Sequence, residues 1–210
     1  MAVRQTPKGS ALWAKLFRPD TKFDADGVYS IKLRLPKDQA DATTDYINQV
    51  MSESLDMAKK ENPTKKGSIK SGNPPYTDVY DEQGNETGEV EFNFKQKAVI
   101  KTRRGTMEKK PAVFDAKGKP IVEEVDVGNG STVKVAYEAI PYYTAIAGAG
   151  VSLRLTAVQL VSLVQGAGGL GSFKFEEEEG YEFSESDVKQ PDEIFTEDDN
   201  TEVTTDNGDF

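Results

Sequence analysis

The chain has 210 residues and a formal net charge of −10, from 26 Lys and Arg against 36 Asp and Glu, with no Cys and no His. Disulfides, thiolate nucleophiles, the usual zinc ligands and every Ser-His-Asp or Cys-His arrangement are thereby excluded. No stretch approaches the roughly 18 apolar residues of a membrane span, and the opening MAVRQTPKGS lacks the apolar core of an export signal, so no membrane contact and a cytosolic location are expected.

Two strands are expected first, Ala11 to Phe17 (ALWAKLF) and Gly27 to Leu35 (GVYSIKLRL), separated by the turn residues RPDTKFDAD. In the second, Tyr29, Ile31, Leu33 and Leu35 share one face and Ser30, Lys32 and Arg34 the other, which describes a half-buried strand with a basic outer side. After Pro36 the apolar spacing becomes helical, with Tyr46, Ile47, Val50, Met51, Ser54, Leu55, Met57 and Ala58 recurring up to Lys60. This amphipathic helix is expected to pack its stripe against the sheet. The stretch ENPTKKGSIKSGNPP, Glu61 to Pro75, is rich in Pro, Gly, Ser and Lys and reads as a long mobile loop.

Tyr76 and Tyr80 stand beside a turn at Gln83, Gly84 and Asn85. From Glu89 to Arg104 runs the longest alternation in the chain. Val90, Phe92, Phe94, Ala98 and Ile100 fall on one face, and Glu91, Asn93, Lys95, Lys97, Lys101 and Arg103 on the other, as one bent strand or two joined at a bulge. The turn-rich GTMEKKPAVFDAKGKPI continues the positive run, so that Lys95 to Lys119 holds nine Lys or Arg against two acids, Glu108 and Asp115. Thr132 to Ala139 and Val151 to Val164 are the last strand candidates, on either side of IPYYTAIAGAG. A body over residues 1–171 results, mostly β with one helix.

Residues 172–210 form the second part. The glycine-rich QGAGGLGS leads into a segment that carries, from Glu176 onward, 15 Asp or Glu against one basic residue, Lys189. Since the whole chain is at −10, residues 1–175 carry 25 basic side chains against 21 acidic ones. An acidic chain thus contains a mildly basic body. So long a like-charged run cannot bury enough surface to offset its ordering entropy, and a disordered tail is expected. A coil of this length spans roughly 34 Å, against a body whose radius of gyration is roughly 16 Å, so it would reach any face. Phe210, following Asp206 and Asp209 at the end, reads as the aromatic anchor of a docking peptide.

The chemistry suggested by the body is single-strand binding. Every base presents a π-face to an aromatic ring, while Lys and Arg neutralise phosphates without reading sequence. The candidate phosphate contacts are Lys95, Lys97, Lys101, Arg103 and Arg104, and the candidate stacking rings are Tyr76, Tyr80, Phe114, Tyr142 and Tyr143. Phe92 and Phe94 are assigned to the core. Trp13, next to Leu12 with Lys15 and Arg18 close by, is either a stacking ring or a half-buried core residue. Gly148, Gly150 and Gly166 to Gly171 lack a following Lys-Ser or Lys-Thr and open no helix, so they are turns and a linker, not a phosphate loop.

Two rival readings belong to other classes. Asp78, Asp81, Glu82, Glu86, Glu89 and Glu91 are close enough in sequence to suggest a Mg²⁺-dependent nuclease, although they straddle an expected hairpin turn where acids are commonly just solvated. Alternatively, the acidic tail mimics nucleic acid and sequesters a basic partner.

The opening ALWAKLFRPDTKFDADGVYSIKLRLPKD, the central KPAVFDAKGKPI, the late GAGVSLRLTAVQLV and the glycine linker into SFKFEEEEGYEF resemble the single-stranded-DNA-binding proteins of tailed bacteriophages, as does an acidic tail ending in Phe210. The resemblance spans nearly the whole chain. It implies an OB-fold, a five-stranded antiparallel barrel, here with extra strands or hairpins. It also implies a role in phage DNA replication and recombination in the cytoplasm of the infected host, with no catalysis, metal or cofactor. The tail would contact a polymerase, helicase or primase. The Lys-rich loop Asn62 to Asn73 has no match position by position, and the oligomeric state, monomer or homo-oligomer, stays open.

Overall fold

The structure, a computed structural model, describes residues 2–103 and 105–165. Its centre is a ring of five strands: β2 (Gly9–Asp20), β3 (Val28–Pro36), β5 (Glu86–Lys97), β9 (Thr132–Thr144) and β10 (Gly148–Ser162). Going round, β2 pairs with β3, β3 with β5, β5 with β10 in parallel, β10 with β9 and β9 with β2, so the sheet closes on itself. This is the OB-fold barrel, mainly β with one helix. Closure is what protects these strands, because a closed sheet has no edge to offer a stray chain.

The shorter strands extend this ring. β1 (Arg4–Gln5) adds to β9, β4 (Tyr76–Tyr80) to β5 and β8 (Ala112–Phe114) to β10, while β6 (Val99–Thr102) and β7 (Gly105–Glu108) form a separate hairpin. The alternation expected from Glu89 to Arg104 is therefore two strands, broken at Ala98. Gln96, on the apolar side of the pattern, is buried, and its side-chain amide donates to the Lys97 carbonyl at 2.8 Å.

Alternation explains the core. Tyr29, Ile31, Leu33 and Leu35 of β3, Val90, Phe92 and Phe94 of β5, Val133, Val135 and Tyr137 of β9 and Leu153, Leu155 and Val158 of β10 are all buried. Gly9 has no freedom to change where β2 crosses β3, since a Cβ there would lie 2.6 Å from the Arg34 carbonyl oxygen. Burial pushes the Tyr137 hydroxyl up from 10.0 to about 12. A raised folded value stabilises the fold below the unfolded value and is lost as pH rises through the folded one. Stability should therefore fall between about pH 10 and 12, and the fall should be shallower in Tyr137→Phe when unfolding midpoints are compared across that range.

The helix α1 (Lys37–Glu61) starts well before the apolar stripe expected from the sequence. Its first turns bury Ala40 and Thr43, small residues that carry little periodic signal, before Ile47, Val50, Met51, Ser54 and Ala58. Asp38 near the start and Lys59 and Lys60 near the end complement the helix dipole. Ser54 donates to the carbonyls of Tyr142 (3.1 Å) and Gly150 (3.0 Å), tying α1 to the β9–β10 hairpin.

The segment expected to be a mobile loop is instead attached to the barrel. Pro63–Ser68 is a 3₁₀ helix, Ile69 is buried with Ala58 and Ala149, and the Gly72 N–H donates to the Ala149 carbonyl at 2.7 Å. A single apolar anchor within a polar stretch leaves no periodicity to read. The linker and acidic tail expected over 172–210 lie outside the described residues.

Candidate nucleic-acid interface

On the outside of the barrel, register brings together residues that are far apart in sequence. Ser30 of β3 lies opposite Lys95 of β5, Lys95 opposite Arg154 of β10, and Arg154 opposite Glu138 of β9. Lys15 of β2 lies opposite Ser30 and extends the row. A groove of about 410 Å³ runs across this face, lined by Val28, Lys95, Gln96, Lys97, Ile100, Ile140, Ser152 and Arg154. A smaller depression of about 190 Å³ shares Gln96, Ile100 and Arg154 with it and adds Lys109 and Lys110. Cations around an apolar floor suit a ligand with charged linkers and flat apolar rings.

Several of these cations already have partners. Lys97 lies 3.4 Å from Asp24 and Lys101 lies 2.6 Å from Asp26, both acids in the β2–β3 connection. The Asp26 backbone N–H, and after it the Lys97 ammonium, hold the Asp24 carboxyl below its ordinary range. Arg154 Nε donates to Glu138 at 2.8 Å. Among the described residues, Lys95 has no ion-pair partner, which makes it the most available cation of the groove.

The sequence candidates divide. Lys95 and Lys97 line the groove; Lys101 and Arg103 are exposed on the β6–β7 hairpin beside it; Arg104 lies outside the described residues. Tyr76 packs at 5.7 Å from Phe92 and donates its hydroxyl to Asn48 of α1, so it sits on the helix side. Tyr143 is likewise packed against the cluster of Ala58, Ile69 and Ala149. Tyr142 is half-buried on the outer side of β9 beyond Ile140, its ring so close to Gly150 that a Cβ there would meet Cζ at 2.7 Å. Tyr80 is exposed at the end of β4. Phe114 lines a separate depression of about 190 Å³ with Gln5, Lys134, Ala136, Ala157 and Gln159. Asp206, Asp209 and Phe210 lie outside the described residues.

Arg154 and Ile140 are groove residues that the sequence reading did not select. Ser152 and Arg154 do alternate with Val151, Leu153 and Leu155, so an outward basic position could have been read; its proximity to Lys95 could not.

Of the carboxylates between Asp78 and Glu91, all but the exposed Glu82 have a partner among the described residues. Glu91 accepts from Lys32 (2.6 Å) and Arg34 (3.3 Å), Asp78 and Glu86 flank Lys37, and Asp81 accepts from the backbone N–H groups of Gln83 and Asn85. Among the described residues no three carboxylates are grouped as a metal site. Burial raises the Glu91 carboxyl, but Lys32 and Arg34 outweigh it and leave it below its ordinary value.

Trp13 is neither buried nor in ordinary strand geometry: it is 68% exposed, with φ at +52°. For a bulky residue this is a genuine outlier, costing on the order of 1–3 kcal/mol.

A closed five-stranded barrel with a cationic groove that reaches from its second and third strands onto its fourth and fifth belongs to the OB class, whose members take oligonucleotides or oligosaccharides on the face of strands two and three. Residues 9–163 match the family described as single-stranded DNA-binding protein, bacteriophage T7, and the chain belongs to that family. It is 33% identical over 195 residues to the single-stranded DNA-binding protein of Enterobacteria phage T3, covering 88% of this chain and 84% of the relative. The corresponding protein of Escherichia phage T7 is 33% identical over 198 residues, 88% and 85% of the two chains. Among solved structures, gp2.5, a single-stranded DNA binding protein encoded by bacteriophage T7, superposes with a TM-score of 0.68 at 28% identity, over 87% of this chain and 99% of that one. The single-stranded DNA-binding protein of bacteriophage Enc34, in complex with ssDNA, shares the fold at a TM-score of 0.56 and 16% identity, over 79% and 89%.

Proposed function

We propose that the protein coats single-stranded DNA without sequence preference during phage DNA replication and recombination in the host cytoplasm. The observation that carries this reading is the groove at Lys95, where an unpaired cation and Arg154 border an apolar floor on the OB face. Lys95, Lys97, Lys101, Arg103 and Arg104 neutralise phosphates. Among the aromatic candidates, stacking is assigned to Tyr80, Phe114 and Tyr142, whose rings are not packed on the helix side, while Tyr76 and Tyr143 support the sheet from that side. The acidic segment from Glu176, with Phe210 after Asp206 and Asp209 as its anchor, contacts a replication polymerase, helicase or primase.

The test is a titration of labelled single-stranded and duplex oligonucleotides in the presence of Mg²⁺. Preferential, lasting retention of intact single strands is expected; cleavage, or equal affinity for duplex, overturns the reading. Affinity should fall with salt, and Lys95→Ala should reduce the slope of log affinity against log salt by about 0.7. Lys97→Ala should change the slope less, because Asp24 already neutralises that ammonium and competes with phosphate for it. Equal slope changes would mean that DNA displaces Asp24 completely.

A further inference from the structure

Trp13 is the one tryptophan of the chain, so its environment is also directly observable in solution. Among the described residues it is the one non-glycine with a positive φ, at the point where β2 carries an extra residue relative to β3. Such a bulge re-aims a side chain, and the strained backbone persists only where its surroundings hold it. They do so here. The Trp13 N–H donates to Asn129 Oδ1 at 2.8 Å, the Ala11 N–H donates to the Ser131 carbonyl at 2.8 Å, and the Gly130 N–H donates to the Ala11 carbonyl at 2.9 Å. Ser131 itself is buried, donating to the Gly128 carbonyl and accepting from the Val164 N–H at 3.0 Å. A turn anchored in the barrel thus holds a large apolar ring in solvent, where ordinary alternation would not need it.

The position of the bulge gives that ring a use. The extra residue falls between the pairs Leu12–Lys32 and Lys15–Ser30, and Ser30 is in turn opposite Lys95. Trp13 therefore stands at the β2 end of the cationic row, about two strand spacings or 10 Å from Lys95, with exposed Lys15 beside it. We propose that Trp13 is a base-stacking residue: one nucleobase of a bound single strand lies on the indole, while Lys15 and Lys95 take flanking phosphates. The binding track then extends from the Lys95 groove across β3 onto the bulge of β2. This rests on the single-strand-binding reading.

The experiment follows tryptophan emission of the full chain during titration with an unlabelled oligo(dT), in parallel with retention of the labelled strand. Emission should be quenched with the same midpoint as retention. Trp13→Ala should weaken binding roughly 5- to 150-fold at every salt concentration, with the salt slope unchanged, and Trp13→Phe should keep most of the affinity. Trp13→Asn separates stacking from folding, because Asn accepts a left-handed backbone: it should unfold at the same or a higher temperature than wild type and still bind as weakly as Trp13→Ala. If the strand binds with a Lys95-dependent salt slope while emission and the Trp13→Ala affinity stay unchanged, the stacking role is overturned and the strand-binding reading stands. If wild type retains no single strand, both fall.

Discussion

Phe94→Ala should lower the free energy of unfolding by about 3–5 kcal/mol. Phe94 is fully buried, with its ring 6.4 Å from Phe92 and 5.2 Å from Tyr137, and its backbone lies in register with Leu153 where β5 meets β10. That parallel pairing closes the barrel, and the neighbours on all sides are held by strand hydrogen bonds, so they cannot collapse into the space left behind. A domain of this size has on the order of 5–15 kcal/mol in total, so the variant should sit close to unfolding at physiological temperature. Equilibrium urea unfolding of wild type, Phe94→Leu and Phe94→Ala measures the effect. The midpoint should drop in that order with little change in slope. A shift of less than about 1 kcal/mol for Phe94→Ala would mean that the β5–β10 seam repacks and is not the closure on which the groove depends.

Removing Glu176 to Phe210 should tighten single-strand binding by on the order of tenfold at low salt, taking a tethered concentration near millimolar and an affinity near 0.1 mM for the polyanion. Charge alone carries the expectation, since the removed segment holds 15 acids and one Lys while residues 1–175 are net basic. The gain should shrink as salt rises, because screening over about 8–10 Å weakens attraction between acidic side chains and cations. Full-length and truncated protein compared across a salt series decide it. Equal affinities at low salt would mean that the acidic segment does not compete with DNA. Deleting Phe210 alone should leave DNA affinity nearly unchanged, as it removes no side-chain charge, while weakening partner contact; an effect as large as full truncation would place the ring on the body.

Much of the fold was legible because alternation and burial obey the same period. Tyr29, Ile31, Leu33 and Leu35 were assigned to one face and are all buried; Phe92 and Phe94 were assigned to the core and are fully buried. The helix was legible from Tyr46 onward, where Ile47, Val50, Met51, Ser54 and Ala58 repeat, and illegible before it, where Ala40 and Thr43 do the packing. Outward basic positions are legible in the same way, as for Lys95 and Lys97, which line the groove.

By itself the sequence determined which side of each strand faces inward, where the acidic charge is concentrated, and that no Cys or His chemistry exists. The tertiary structure alone decided which outward residues meet. Alternation places side chains within one strand, but the alignment of one strand against the next is set by closure of the whole barrel, and only closure brings Arg154 beside Lys95. Ion pairing has the same origin: Glu91 lies 59 residues from Lys32 in sequence and 2.6 Å from it in space, so a carboxylate that reads as a metal ligand becomes a counter-charge. The aromatics divide for the same reason, Tyr76 and Tyr143 going to the helix side and Trp13 to solvent. A ring's use depends on what packs against it, and for Trp13 that is set by a bulge held from the 128–131 turn, more than a hundred residues away along the chain.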